Sequence, residues 1–247
     1  MSARKVLRIS GGDAEDFLQN LVTNDVSGAK DGLVWAALLT PQGKYLADFF
    51  LVADGEAILL DVAEGLASGL AQRLNMYKLR ADVRIEVTNI TVSRGLGDVP
   101  EGAFADPRHA SLGWRAYDGR EGGEADWDAL RVAAGVPESG VELIPNDSYP
   151  LEMNFEALRG VDFKKGCYVG QEVTARMKHK TSLRKGLVRV AVDGDAPVGT
   201  EIVNAKGQAV GTLYSQAAGQ GLAYLRKDRM DDAMVAGAAK VKELVDG

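Results

Sequence analysis

Residues 33–62 read LVWAALLTPQGKYLADFFLVADGEAILLDV, and this stretch decides the fold. It holds three apolar runs, at 33–39, 45–53 and 57–62. The turn sequences Pro41-Gln42-Gly43 and Asp54-Gly55 separate them, and Asp-Gly between apolar runs is a strong hairpin signal. The stretch therefore predicts strands that run antiparallel and are joined by tight turns.

A helix is expected on each side of this stretch. The first follows Asp13, a suitable N-cap, and the second precedes an alternating apolar pattern at 83–87 that is typical of a half-buried strand. The apolar faces of the two helices consist of Phe17, Leu18, Leu21 and Val22, and of Leu66, Leu70, Leu74 and Tyr77. Strands and helices in this order indicate an α+β fold built on an antiparallel sheet.

The second half of the chain changes in character. Residues 95–125 are rich in Gly, Asp and Pro and predict loops, 126–134 predict a helix that ends at Gly135, and 136–150 predict irregular structure. Short strands are expected at 187–192, 201–204, 208–214 and 222–225. Frequent turns between short strands favour a small β-barrel, with a domain boundary near 182–186.

Composition excludes several classes of protein. The chain has 247 residues, of which 46% are hydrophobic and 26% charged, as in a globular protein. One cysteine and two histidines cannot form an internal disulfide, a Cys/His zinc site or a cluster site with four cysteines. No apolar run approaches the ~20 residues of a membrane helix, and no signal or transit peptide is seen. A cytoplasmic monomer without a membrane partner is expected.

The charge is unevenly distributed. The formal net charge is −6, but residues 159–189 contain nine basic and two acidic residues, a local charge of +7. This segment is either a solvated connector or a surface for an anion or an acidic partner. Few aromatic residues accompany the basic ones, and the whole chain is acidic, so direct nucleic-acid binding is not expected.

The single cysteine, Cys167, lies in this basic segment, within KKGCYVGQE at 164–172. Most free cysteines are small buried hydrophobes, but this stretch does not have the pattern of a core strand or an amphipathic helix. Neighbouring lysines would favour a thiolate, and Gly166 and Gly170 would allow close backbone approach. The thiol could pair with His179 as in a hydrolase, or act as one ligand of a metal or cluster shared with another protein.

Residues 165–172, KGCYVGQE, resemble the K-G-C-[FY]-x-G-Q-E motif of the YgfZ-type folate-binding proteins, relatives of the glycine-cleavage T-protein. Further matches extend over most of the chain and are similar to the branch of iron–sulfur cluster assembly factors. They lie at 17–20, 23–26, 41–44, 76–83, 135–138, 150–154, 174–176, His179 and 184–185.

The resemblance implies a T-protein-like α+β fold. It would have two α/β subdomains with antiparallel sheets in residues 1–182, the second at roughly 40–120 inserted in the first. A small C-terminal β-barrel would occupy 183–247.

The resemblance also implies a role in assembling or repairing [4Fe-4S] clusters, including those of radical-SAM enzymes. The partners would be client proteins and iron–sulfur scaffold or carrier proteins, with tetrahydrofolate as the ligand. The implied functional thiol is Cys167, tuned by Lys165. The implied motif and ligand loop consists of Gly166, Tyr168, Gly170, Gln171, Glu172 and Arg176, with Lys178 beside Arg176 on an anion-binding surface. The folate contacts would be Met76, Tyr77, Glu152 and Asn154.

One departure from the family pattern bears on folate. T-proteins carry L-R-x-E-A-G before the G-V-P-E region, and their Glu contacts the pterin, whereas this chain has Ala133 at that position. Losing such a charged hydrogen bond costs about 1.5–3 kcal/mol. Together with the Cys motif, which T-proteins lack, the departure favours an assembly factor over a folate-dependent aminomethyltransferase-like one-carbon transferase. A non-catalytic module linked to folate or tRNA modification stays a further alternative.

Overall fold

The computed structural model describes residues 3–179 and 183–244, and it confirms the α+β class. Its first sheet has five strands in the order β2-β3-β4-β1-β5, and every pair is antiparallel. The strands are β1 (Arg4–Ser10), β2 (Val34–Leu39), β3 (Tyr45–Asp54), β4 (Ala57–Ala63) and β5 (Arg84–Val87).

The predicted hairpins of residues 33–62 are confirmed. Strand β3 pairs with β4 up to Asp54 opposite Ala57, and Gly55 takes a positive φ of 61° in the turn between them. Strand β1 is an addition that the sequence did not reveal. It lies between β4 and β5, in the interior of the sheet. Its adjacent residues Val6 and Leu7 are both buried, one in each core, so its sequence lacks a regular alternation of apolar and polar residues.

The sheet has a hydrophobic core on each face. Trp35 and Phe50 belong to one core, and their chain neighbours Ala36 and Phe49 to the other, because successive side chains of a strand point to opposite faces. Helices α1 (Ala14–Gln19) and α2 (Glu64–Lys78) cover the second face. The later part of the chain covers the first.

The first helix differs from its prediction at both ends. Asp13 makes no side-chain cap, because its carboxylate instead accepts a hydrogen bond from the backbone N–H of Asp82 at 2.8 Å. The helix ends at Gln19, so Leu21 and Val22 are buried beyond it rather than on its face.

The segment predicted as loop at 95–125 contains a second sheet. Its strands are β6 (Ser93–Gly95), β7 (Ala103–Ala105) and β8 (Trp114–Ala116), in the antiparallel order β6-β8-β7. Each strand has three residues, which is too few to show alternation among the Gly, Asp and Pro of the turns. The predicted subdomain at 40–120 thus contains β3–β5 of the first sheet and all of the second, and its boundary near 40 falls between the paired strands β2 and β3.

A buried ionic network joins the two sheets. Arg115 of β8 contacts Asp61 of β4 at 3.2 Å and Asp106 at 3.3 Å. Asp61 also binds Arg4 of β1 at 2.6 Å, and Asp106 binds Arg108 at 2.8 Å. Buried charges are tolerated when they are paired and hydrogen-bonded, and breaking one such pair is strongly destabilising. The network therefore fixes how the second sheet sits on the first.

Three short helical elements follow the second sheet before the C-terminal barrel begins. Helix α3 (Trp127–Ala133) lies within the helix predicted at 126–134, and the Asp126 carboxylate caps it by accepting from the backbone N–H of Ala129 at 2.9 Å. No helix or strand is assigned from 134 to 149, and a 3-10 turn follows at Pro150–Met153. Helix α4 (Gln171–His179) was not expected, since the motif did not have an amphipathic pattern.

The C-terminal region is a closed barrel, as predicted, with two strands more than the sequence showed. Its strand order is β10-β11-β12-β9-β14-β13. The strands are β9 (Lys185–Asp193), β10 (Thr200–Val203), β11 (Ala209–Ala217), β12 (Gln220–Arg226), β13 (Met234–Ala236) and β14 (Ala239–Glu243). The expected boundary at 182–186 falls partly outside the described residues.

A second buried ion pair holds the barrel against the body. Arg131 of α3 contacts Glu142 at 3.1 Å and also donates to the Ser215 hydroxyl of β11. The other carboxylate oxygen of Glu142 accepts the backbone N–H of Ser215 at 3.2 Å.

No helix of the described part of the chain is long and apolar enough to cross a membrane.

Acid should weaken the network between the sheets. Burial alone would raise the pKa of Asp106, but the Arg108 and Arg115 guanidiniums outweigh it and lower the pKa to about 2. Asp106 in the unfolded chain titrates at its ordinary value of 3.8. The carboxylate therefore stabilises the fold above pH 4, and this contribution of about 2 kcal/mol is lost as the pH falls from 4 toward 2. Urea unfolding at several pH values measures it.

We expect Asp106→Asn to be less stable at neutral pH and to lose part of the acid dependence of the free energy of unfolding. Asp193→Asn is the matched control, since that exposed carboxylate lies 3.7 Å from Lys240 at the surface. An unchanged acid dependence in Asp106→Asn would contradict the role of the network.

Candidate functional site

Cys167 lies on the surface, in the loop that leads into α4. The reading of the thiol as a small buried hydrophobe is therefore excluded. Gly166 beside it has open space where a Cβ would be, so the close approach expected at this glycine is wrong. Tyr168, on the other side, is buried in the core on the first face of the sheet. The loop thus exposes the thiol between an open glycine and a buried anchor.

Lys165 ties the Cys167 loop to the N-terminal segment of the chain. Its side chain is 9% exposed, and its Nζ donates to the backbone carbonyls of Gln19 at 2.7 Å, Val22 at 2.7 Å and Asn24 at 2.9 Å. Burial lowers the pKa of the amine to about 8, so at pH 7 it is still an ammonium with three protons to donate. All three protons are used by the N-terminal segment, which gives Lys165 a structural task, and tuning of Cys167 by Lys165 stays a prediction.

The same N-terminal segment holds the chain just before the loop. The Thr23 hydroxyl donates to the carbonyl of Gly160 at 2.7 Å, and the Thr23 carbonyl accepts the N–H of Asp162 at 3.0 Å. The Asn24 amide donates to the carbonyls of Arg159 at 2.7 Å and Trp35 at 2.8 Å. Sequence reasoning gave Thr23 and Asn24 no role at the site. Their place in a segment with family resemblance was the signal.

A second contact fixes the end of the loop. Gly170 has φ +83°, and a Cβ there would lie 2.6 Å from the Thr40 carbonyl oxygen. Gly43, in the turn between β2 and β3, has φ +75°, and its Cβ would lie 2.8 Å from the Cβ of Val173 in α4. The two backbones approach so closely that only glycine fits. The close approach predicted at Gly170 is thus present, and its partner is the Pro41-Gln42-Gly43 turn.

The polar side chains of α4 that were expected to bind a ligand form hydrogen bonds or ion pairs within this chain. Gln171 donates from its amide to the carbonyl of Gly166 at 3.4 Å, which closes the loop. Glu172 pairs with Arg176 at 2.6 Å on the exposed face of the helix, and Lys178 pairs with Glu156. The first turn of a helix, rather than a ligand loop, therefore contains Gln171 and Glu172.

The basic segment is less positive in space than in sequence. Lys165 is buried, Arg176 and Lys178 are paired with carboxylates, and Arg189 donates to the Ala133 carbonyl at 2.8 Å. Glu156, which pairs with Lys178, precedes the segment and was not counted in its charge. Lys180 lies outside the described residues. An anion-binding surface at Arg176 and Lys178 would first have to break these pairs.

His179 does not contact the thiol. It ends α4, whereas Cys167 lies in the loop that leads into that helix. Within residues 3–179 and 183–244, no hydrogen bond joins the Cys167 thiol to the His179 ring, as a nucleophile and its base require. The hydrolase alternative is therefore not supported.

The four expected folate contacts do not converge. Met76 and Tyr77 end α2, which packs on the second face of the first sheet, and Met76 is 71% exposed. Glu152 and Asn154 lie on the opposite side, where Glu152 accepts from the Tyr224 hydroxyl at 2.5 Å and Asn154 donates to the Gly135 carbonyl at 3.4 Å. The sheet separates the two pairs, so one pterin ring cannot contact both.

Replacing Lys165 should loosen the loop and the N-terminal segment together. Lys165→Met leaves three carbonyl oxygens without their donor, and we expect a loss of about 2–4 kcal/mol in the free energy of unfolding. We also expect Cys167 to react faster with a disulfide reagent. Lys164→Met, at the exposed neighbouring position, should change neither quantity.

A second variant separates the anchor from a direct effect on the thiol. Lys165→Ala leaves room for a small alkylammonium ion, and n-propylammonium should restore part of the lost stability. Slower thiol reaction without any loss of stability in Lys165→Met would instead support tuning of Cys167 by Lys165.

The fold has a solved counterpart. The glycine cleavage system aminomethyltransferase T from Bartonella henselae superposes with a TM-score of 0.74 over 98% of this chain and 82% of that protein. The sequence identity is 13%, so the similarity concerns the fold alone. It confirms the T-protein-like architecture that the sequence resemblance implied. Residues 184–244 match the family model of the CAF17 C-terminal beta-barrel domain.

Curated relatives share much more of the sequence. The chain is 31% identical to the mouse protein named iron-sulfur cluster assembly factor IBA57, mitochondrial, over 92% of this chain and 77% of that protein. Identity to the human protein of the same name is 32%, over 93% and 77%. The homologue in Neurospora crassa is 27% identical over 80% of this chain and 54% of its own length.

These relatives correct one expectation. The sequence predicted a cytoplasmic protein, but the named relatives are mitochondrial, which contradicts that location.

Proposed function

The chain belongs to the IBA57 family of iron–sulfur cluster assembly factors, and we propose that its exposed Cys167 is the working residue. The observation that supports the proposal is the placement of this one thiol. It lies at the surface on a loop that is held at two points. Lys165 bonds to the N-terminal segment on one side of the thiol, and Gly170 packs against the turn between β2 and β3 on the other. A ligand held in a preset position loses little freedom when it binds.

The proposed chemistry is transient ligation of a cluster in transit. A thiolate is the usual protein ligand of iron–sulfur clusters, and a [4Fe-4S] cluster takes four. Within residues 3–179 and 183–244, no three His, Cys, Asp or Glu side chains are grouped to hold a metal ion. We therefore propose that Cys167 supplies one ligand, and that a scaffold, carrier or client protein supplies the others.

The finer parts of the proposal rest on the motif. The KGCYVGQE sequence of residues 165–172 supports a YgfZ-type role, in which the clients are [4Fe-4S] proteins that include radical-SAM enzymes. Lys165 and Gly170 shape the loop, Tyr168 buries its middle, and Gln171 closes it. Cys167 is the one side chain among these that faces a partner.

The test of the proposal is genetic. In cells that lack this protein, we expect Cys167→Ala to fail to restore the activity of a [4Fe-4S] enzyme, because the shared ligand is missing. The measured quantity is the specific activity of that enzyme, together with its iron content. Gly166→Ala is the control, since a Cβ at that neighbour meets open space.

Both variants should be compared at equal protein level and equal melting temperature. Full restoration by Cys167→Ala would refute the role of the thiol. Failure of Gly166→Ala to restore activity would show that the loop backbone, rather than the sulfur, carries the function.

Tetrahydrofolate binding is a separate proposal, which the family resemblance supports and the residues fit in part. We propose that a bound folate uses the side of the sheet with Glu152 and Asn154, and not Met76 and Tyr77. Asn154 reaches the Gly135 carbonyl, two residues from Ala133, where a carboxylate would have to stand to accept from a pterin.

A titration tests the folate proposal. We expect wild-type protein to bind tetrahydrofolate weakly in a calorimeter, and Ala133→Glu to bind about tenfold or more tightly, because one charged hydrogen bond is worth about 1.5–3 kcal/mol. Met76→Ala should bind as the wild type does. Absence of binding by both wild type and Ala133→Glu would end the folate proposal.

A further inference from the structure

The turn that follows α2 displays an apolar side chain on a strained backbone. Leu79 has φ 46° and ψ −106°, a conformation that glycine adopts readily and leucine does not. Its side chain is 88% exposed, so no burial compensates for the strain. Met76, one turn earlier on the helix, is 71% exposed.

The strain persists because the chain is pinned directly after the turn. The Asp82 carbonyl accepts the N–H of Asp13 at 3.2 Å, and the Asp82 carboxylate accepts that of Gly12 at 3.1 Å. The Asp13 carboxylate in turn accepts the N–H of Asp82 at 2.8 Å. With α2 on one side and this anchor on the other, Leu79 is held outward. Strained residues of this kind concentrate where a protein binds something.

The exposed apolar pair has a basic rim. Arg73, Arg80 and Arg84 are exposed, Lys78 is half-buried, and no ion pair is formed by any of these four within the described chain. Two exposed carboxylates, Asp82 and Glu86, lie in the same segment, so the rim has four positive and two negative charges. The whole molecule carries −6. A basic apolar face on an acidic protein directs an acidic partner to one place and one orientation.

We propose that Met76 and Leu79, with this basic rim, form a docking surface for an acidic protein that offers an apolar pocket. The inference rests on the proposed function, because it takes the partner to be an iron–sulfur protein that receives or supplies the cluster. The surface is distinct from the Cys167 loop, since it lies on the α2–β5 turn. Two exposed apolar side chains beside unpaired cations can enter an apolar pocket of a partner while the cations meet its carboxylates. A lipid surface needs a broader apolar face.

Leu79→Gly gives a test in which stability and function move in opposite directions. Glycine relieves the strain, so the melting temperature of the purified protein should stay the same or rise by a few degrees. In cells that lack the protein, the level of variant needed for half-maximal activity of a [4Fe-4S] enzyme should rise about tenfold. Arg80→Glu with Arg84→Glu should have the same effect. Val198→Ser, at a 62% exposed valine of the barrel, is the control and should match wild type.

Each of the following results supports or overturns one part of the proposal. Restoration by Leu79→Gly at wild-type levels overturns the docking surface, and wild-type behaviour of the Arg80/Arg84 pair overturns the acidic partner. Wild-type binding to phosphatidylcholine vesicles with 30% phosphatidylglycerol, lost in Leu79→Gly, would assign the surface to lipid and overturn the proposal. Cys167→Ala is tested in parallel. If it restores activity fully while Leu79→Gly does not, the thiol role fails and the docking surface stands.

Discussion

The buried arginines and carboxylates between the two sheets are the interaction on which the rest of the molecule depends. The guanidiniums of Arg108 and Arg115 lie 4.7 and 4.0 Å from the centre of the Phe50 ring, so the network is also packed against the core of the first sheet. Strands of three residues bury little surface and need packing against another element. The ion pair of Arg115 with Asp61 of the first sheet supplies that packing together with Asp106, and the second sheet covers part of the first face.

The Cys167 loop depends on the same physical rule at a smaller scale. The cost of burying the Lys165 ammonium is offset because three carbonyls accept its protons. These hydrogen bonds also fix the position of the loop next to Lys165. The glycine contact between Gly43 and Gly170 sets the other end. Lys165, Tyr168 and Gly170 of the motif thus have structural contacts, and Cys167 is the exposed residue to which we assign the proposed function.

Sequence reasoning succeeded where the pattern is local. The hairpins at 33–62, the helix capped by Asp126 and the barrel follow from turn chemistry and alternation. It failed where a strand is too short to show alternation, as at Ser93–Gly95, and where side-chain direction decides. Nothing near Lys165 in the sequence predicts that its ammonium donates to the carbonyls of Gln19, Val22 and Asn24. Likewise, the pairing of Lys178 with Glu156 depends on how the chain folds back, so the charge of a segment overstates the charge of a surface.

The anchors of the loop have a consequence for the timing of synthesis. The Lys165 ammonium is separated by 146 residues from its partner carbonyl in Gln19, and Thr23 is 137 residues from Gly160. A nascent chain emerges from its N-terminus, so these contacts must wait until about two thirds of the polypeptide has left the ribosome. Contacts of such long range form late because loop closure costs entropy. The anchored form of the Cys167 loop therefore appears only after about two thirds of the chain is available, and a shorter chain would lack it.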